Sequence, residues 1–243
     1  MTSDTTQTDA VVAQTENLRD TITRARFVLF DFDGPVCRLF AGHSAETVAR
    51  DLVEWLEQQG MRGLLTSEEC VHSDPMAVLH AVNERRPHSD VVVGLEARFT
   101  QQEFKAVTKA RPTAYADALI RTWKAVGAQL AITTNNSPLA AARYLAGRGL
   151  AECFAPHIYG RTQDLHHLKP DPDCLNRALT ALGAEPSKAL MIGDAPSDLY
   201  AAQRAGVPFL GYARNEDKEK RLRGAGAEHV VASLETVLRV LWT

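Results

Sequence analysis

A chain of 243 residues with 45% hydrophobic side chains can bury the core of one large α/β domain, or of a core domain carrying a smaller inserted one. Its net charge of −3, with basic and acidic residues scattered rather than blocked, argues against a nucleic-acid polymer or a membrane surface as partner and leaves small soluble molecules. Cys37, Cys70, Cys153 and Cys174 stand far apart with no C-x-x-C spacing, which speaks against a zinc knuckle or a disulfide framework and for reduced thiols.

Residues 1–24 read as an N-terminal tail. Its first 14 residues are rich in Thr, Asp and Gln and are expected to be disordered, whereas Leu18 and Ile22 at helical spacing predict a short helix. The tail lacks the basic start and apolar core of a leader, and no apolar stretch approaches membrane-spanning length, so a cytoplasmic monomer or homodimer is expected. The run Phe27 to Phe30 then predicts a buried strand, followed at once by Asp31, Asp33 and Gly34-Pro35. Two acids at the end of a buried strand need something to neutralise them, because an unpaired buried carboxylate is very costly. A cation or a reaction is implied.

From Phe40 to about Pro112 the pattern changes to helices without clear buried strands: 44–60, with Ser44 as N-cap, then 74–86 and 91–110. Beyond them, apolar runs at 128–133, 157–160, 189–193 and 207–212 predict further buried strands. They alternate with helices at 113–127, 138–150, 172–183 and 197–206, with Gly127, Gly183 and Gly206 as C-caps. Strand–helix alternation implies an α/β fold, a Rossmann-like doubly wound parallel sheet, here with an inserted α-helical cap domain. The expected division is a core of residues 25–40 and 113–243 and a cap of residues 41–112. Arg214 to Gly226 reads as a solvated helix, and Trp55, Trp123 and Trp242 as packing residues on apolar helical faces.

Polar clusters fall at strand ends, where open α/β sheets bind ligands: Asp31-Phe32-Asp33-Gly34, Thr134-Asn135, Lys169-Pro170-Asp171, and Gly193-Asp194 with Asp198. Each alone could be a turn or a helix cap. In this order, at this common location, they resemble the haloacid dehalogenase-like hydrolase superfamily in its phosphatase branch, over Phe27 to about Gly211. The resemblance makes Asp31 the nucleophile, Asp33 an acid–base group that also lends its backbone carbonyl to a metal, Thr134 the hydroxyl motif, Lys169 the basic motif and Asp194 with Asp198 the acidic one. Gly34 completes the first motif.

The chemistry accounts for these residue types. A phosphate monoester and an attacking carboxylate repel one another, so positive charge must be supplied before they meet. A hard cation with oxygen ligands, Mg²⁺, suits Asp31 and Asp194. Attack by Asp31 forms an aspartyl-phosphate, while Asp33 protonates the leaving alkoxide and later activates water. Thr134 and Asn135 would hydrogen-bond the phosphoryl oxygens, Lys169 would hold phosphate and nucleophile together, and Asp198 would position Lys169 or a metal-bound water.

The acid at position 33 favours phosphoester chemistry, since the dehalogenase and phosphonatase branches lack it. The substrate expected is a small soluble phosphomonoester, such as phosphoglycolate or a sugar or nucleoside phosphate. A phosphomutase keeps both acids and stays open, as does a non-catalytic binding protein on the same fold, although its usual mark is a missing nucleophile or lysine. Pro35 departs from the family's usual Thr and removes a hydroxyl and an N–H. Arg38, Phe40 and His43 open the insertion, where the family has a flap and hinge, and Arg38 and His43 are candidate substrate contacts. His166 and His167 read as loop residues rather than metal ligands.

Overall fold

The computed structural model describes residues 17–242. The expected disorder of residues 1–14 lies outside them. The helix anticipated around Leu18 and Ile22 spans residues 17–24 and buries Ile22 against the core.

Strand β1 (Phe27–Phe30) sits in the middle of a six-stranded sheet with β4 (Gln129–Thr133), β5 (Ile158–Tyr159), β6 (Ala189–Gly193), β7 (Phe209–Tyr212) and β8 (Val230–Val231). The order is β5-β4-β1-β6-β7-β8, and every pairing is parallel. Phe30 pairs with Ile132 on one side and Ile192 on the other. A strand flanked on both edges and covered on both faces has no use for polar alternation, which explains the uninterrupted apolar run. Val28 and Phe30 pack on one face with Leu119, Trp123 and Val237, and Leu29 packs on the other with Leu175, Ala178 and Met191. The chain winds from β1 through β4 to β5 on one side, then returns to build β6, β7 and β8 on the other. The switch in winding falls at β1 and opens a crevice beyond its carboxyl end.

Those faces are covered by α4 (Ala116–Ala125) and α9 (Leu234–Leu241) on the Trp123 side, and by α6 (Asp173–Leu182) and α7 (Pro196–Ala205) on the other. Gly183 and Gly206 take the left-handed conformation at the C-caps of α6 and α7, as expected. The helix α5 (Pro138–Gly147) follows β4, and α8 (Glu216–Gly224) follows β7.

Between β1 and β4 lie α1 (Ala45–Gln58), α2 (Pro75–Arg85) and α3 (Asp90–Val107). They bury an apolar cluster of their own, including Leu52, Leu56, Leu79, Val82, Leu95 and Phe99, closed from the core side by Leu165 and Leu168. Their N-caps are Ser44, Asp74 and Ser89, whose side chains accept from Thr47, Met76 and Val92 N–H groups. The chain enters and leaves this insertion through a two-stranded antiparallel ribbon, β2 (Cys37–Arg38) against β3 (Arg111–Pro112). The sequence pattern does not reveal this ribbon or β8, because two-residue strands carry no periodicity.

Trp123 is fully buried and Trp55 packs against the helical insertion, but Trp242 is 68% exposed at the C-cap of α9, so the packing role expected for it does not hold. All four cysteines are free. Among the described residues no helix is long and apolar enough to cross a membrane.

Candidate active site

The crevice beyond β1 opens into a cavity of about 330 Å³ whose lining includes Asp31, Asp33, Asn135, Lys169, Asp194 and Asp198. From the insertion, Phe40, Asp74, Met76 and Phe99 close its far side.

Asp31 follows β1, and its N–H donates to Ile192 O, which fixes it beside β6. Its Oδ1 accepts a hydrogen bond of 2.8 Å from Lys169 Nζ, which also donates to Asp198 Oδ1 at 2.6 Å and to Thr133 O at 2.9 Å. The lysine thus reaches the centre from a distant loop with all its protons engaged. Its backbone is clamped by Asn135: Lys169 N–H donates to Asn135 Oδ1 and Asn135 Nδ2 donates to Lys169 O. Asp198 Oδ2 accepts the Asp194 and Ala195 N–H groups, each at 3.0 Å. Its oxygens therefore serve Lys169 and the turn into α7. Asp194 forms an ion pair with Lys218 of α8.

Asp33 lines the same cavity. Its Oδ1 accepts the Leu39 N–H at 2.7 Å, tying it to the start of the insertion. Gly34 holds φ of +141°, and a Cβ there would overlap the Asp194 carboxylate, so the close approach of the two motif loops demands glycine. The loop is closed by the Gly34 N–H to Cys37 O and the Cys37 N–H to Phe32 O, with Thr113 Oγ1 donating to Gly34 O at 2.6 Å. None of these bonds involves residue 35, so Pro35 fits without a lost partner.

Burial raises the Asp31 carboxyl to about 7, with Lys169 opposing and Asp198 and Asp194 adding to the rise. Burial likewise lifts Asp33 to about 6 against its Leu39 hydrogen bond, and Asp194 to about 6 against Lys218. Burial pulls Lys169 down, but Asp198 and Asp31 outweigh it and hold the ammonium well above the ordinary lysine range. Burial is the first cause in all three carboxyls, and several raised acids gathered in one cavity mark a candidate site of chemistry.

The residues present fit a hard cation. Carboxylate oxygens of Asp31, Asp194 and Asp198 lie within 4.8 Å of one another, an all-oxygen donor set. Both oxygens of Asp198 are engaged, by Lys169 and by backbone amides, whereas Asp31 and Asp194 each keep one oxygen without a hydrogen bond among the described residues.

Two expected contacts are placed differently. Thr134 is buried, and its hydroxyl donates to Asn136 Oδ1 at 3.0 Å and accepts the Asn136 N–H at 3.1 Å, a local turn typical of Thr, so Asn135 and Asn136 rather than Thr134 line the cavity. His43 is not brought to the centre: its Nε2 bonds Gln102 Oε1 at 2.8 Å, and its ring lines a separate hollow beside Phe104 and Arg143. Arg38 does border the site, in a second hollow that shares Asp33 and Asp194. His166 and His167 lie in an exposed turn, as expected of loop residues.

Sequence reasoning missed Lys218, Arg214 and Thr113. Lys218 sits inside a charge run that reads as a solvated helix face, and only the placement of α8 after β7 carries it to Asp194.

A model of the haloacid dehalogenase-like hydrolase family matches residues 25–206. The chain belongs to this family. It is 29% identical over 197 residues to a phosphoglycolate phosphatase of Neisseria gonorrhoeae, covering 78% of this chain and 80% of the relative. A phosphoglycolate phosphatase of Rhodospirillum rubrum is 40% identical over 101 residues, 40% of this chain and 41% of that one. Among solved structures, CbbY from Rhodobacter sphaeroides, in complex with phosphate, superposes with a TM-score of 0.63 at 21% identity, over 90% of this chain and 100% of that one. A predicted phosphoglycolate phosphatase from Haemophilus somnus gives 0.63 at 18% identity, over 89% and 98%. The α/β fold with a parallel sheet and a helical cap is thus the fold of this haloacid dehalogenase-like hydrolase.

Proposed function

We propose that this hydrolase is a phosphatase that cleaves a small phosphomonoester by way of an aspartyl-phosphate on Asp31, with residues 25–40 and 113–243 as catalytic core and 41–112 as cap. The observation that carries the reading is the Lys169 ammonium, which binds Asp31 Oδ1 and Asp198 Oδ1 at once at the floor of the cavity. An ammonium fixed in that way holds the nucleophile in place and offers its charge to the phosphoryl group that Asp31 attacks. Asp198 acts by positioning Lys169, and Asn135 by clamping its backbone.

Asp31, Asp194 and the Asp33 carbonyl would hold Mg²⁺, which when bound neutralises Asp31 and the phosphate oxygens. Asp33, held near the cap by Leu39 and lifted by burial to about 6, can carry a proton to the leaving alkoxide and take one from water afterwards. Asn135 lines the cavity and keeps a second Nδ2 proton for a phosphoryl oxygen beyond its bond to Lys169 O, whereas Thr134 would reach one only after rotating away from Asn136.

The relatives named above make phosphoglycolate a natural member of the test panel. The experiment is a phosphomonoester panel assayed for free phosphate with Mg²⁺ and with chelator. Stoichiometric phosphate that disappears on chelation is expected. Phosphate released only as a slow leak beside an isomerised substrate would instead indicate a mutase, and activity surviving complete chelation would remove the metal from the mechanism.

A further inference from the structure

The second hollow, also about 330 Å³, continues the active-site cavity past Asp33, Asp194 and Phe40 and is lined on its far side by Arg38, Arg214 and Lys218. These cations come from three separate segments: β2, the turn after β7, and the first turn of α8. Among the described residues the acids lining the hollow are Asp33 and Asp194, which it shares with the catalytic centre. Lys218 has Asp194 as its partner, but Arg38 and Arg214 make no ion pair or side-chain hydrogen bond among the described residues. Their charges nonetheless reach inward, since Arg214 and Lys218 act on Asp33, and Arg214 and Arg38 act on Tyr212.

Two exposed guanidinium groups without a partner among the described residues line one concavity, and their donors are shaped for a bidentate oxyanion. The nucleophile lies in the adjoining part of the same crevice. We propose that Arg38 and Arg214, with Lys218 adding to the local potential, form a subsite for a second oxyanion, so that the enzyme selects phosphomonoesters whose leaving group carries a carboxylate or a second phosphate. This rests on the phosphatase reading and names the substrate class of that same site.

The test uses the full chain with Mg²⁺ and matched two-carbon substrates: 2-hydroxyethyl phosphate, phosphoglycolate, and the bisphosphate of ethane-1,2-diol, with para-nitrophenyl phosphate as reference. Arg38→Gln and Arg214→Gln should each lower kcat/KM for one or both anionic substrates by about 10- to 100-fold, the range of a lost hydrogen bond to a charged group, mainly through KM. The same variants should affect 2-hydroxyethyl phosphate and para-nitrophenyl phosphate less than the anionic substrates by that factor, because those leaving groups have nothing for the arginines to hold and any effect of Arg214 through Asp33 is common to all four. A loss confined to phosphoglycolate assigns the subsite to a carboxylate, and one confined to the bisphosphate assigns it to a phosphate. Equal losses on all four substrates, or none, overturn the subsite while leaving the phosphatase reading in place. Absence of turnover on every substrate by the wild-type enzyme overturns both.

Discussion

Two buried ion networks lie on either side of the Thr134–Ser137 loop and differ in what they leave over. Arg161 stacks over Phe99 at 4.4 Å and donates through Nε to Glu96, through Nη1 to Glu103 and the Asn135 carbonyl, and through Nη2 to Thr100 and Glu103. The side chains of Arg161 and Glu103 are completely buried, and Glu103 also accepts from the Asn136 side chain and the Ser137 N–H. Every donor of the fork has an acceptor. This network joins α3 of the cap to the core and has no room for another partner.

The Lys169 network also sets two carboxylates against one cation, but it faces a cavity. The difference teaches how to tell architecture from chemistry in a buried charge cluster. A set closed on all sides fixes two elements against each other, whereas one that opens on a cavity is placed to take a ligand.

The comparison can be broken most sharply at Asp31. Asp31→Asn should lower kcat by about 10³-fold or more and leave the thermal unfolding midpoint close to wild type, because the amide cannot form the acyl-phosphate. Retention of more than about a hundredth of the activity would remove Asp31 as nucleophile.

Asp33→Asn should keep the backbone carbonyl and the Leu39 hydrogen bond but lose the proton, a change worth about 10²–10⁴-fold on an alkyl phosphate. Para-nitrophenolate leaves without protonation, so single-turnover release from that ester should suffer far less. Equal losses on the two esters would reduce Asp33 to a structural part.

In the closed network the effect should move from rate to stability. Arg161→Met leaves Glu103 buried and unpaired and should cost about 3–5 kcal/mol in denaturant unfolding, the range for breaking a buried pair. A cost below about 1 kcal/mol would mean that the pair does not tie the cap to the core.

The smallest effect is on pH dependence. Asp33 is lifted from 3.8 to about 6 by burial, so the folded state holds its proton more tightly than the unfolded chain. Its contribution is fully present below about 3.8 and is lost as pH rises through about 6. In metal-free protein, Asp33→Asn should therefore gain on wild type as pH rises from about 4 to about 6 and hold that gain above it, by no more than about 2 kcal/mol for a half-buried group, as read from unfolding at each pH. A difference that does not change with pH would show that Asp33 is not held high.

Much of the frame is legible in the sequence because parallel strands covered on both faces are continuous apolar runs, and the chemistry sits directly at their ends. Asp31, Asp33, Lys169, Asp194 and Asp198 could be named from that pattern together with a family likeness, and all five line one cavity. What escapes is contact between distant segments. Arg161 and Glu103 are 58 residues apart, and neither residue type nor spacing marks them as partners. Lys218 and Arg214 are hidden in a run of charges whose helical face looks like any solvated one. Thr134 bonds within its own turn and His43 bonds Gln102, 59 residues on, and the motif describes neither contact.

The measurement that bears most directly on the central claim is the chemical state of residue 31 during turnover. Enzyme mixed with an excess of a turned-over phosphomonoester, acid-quenched and reduced with borohydride should contain homoserine at position 31, because reduction of an aspartyl-phosphate yields that residue. An unmodified Asp31 beside a phosphoryl group recovered on another side chain would contradict the account.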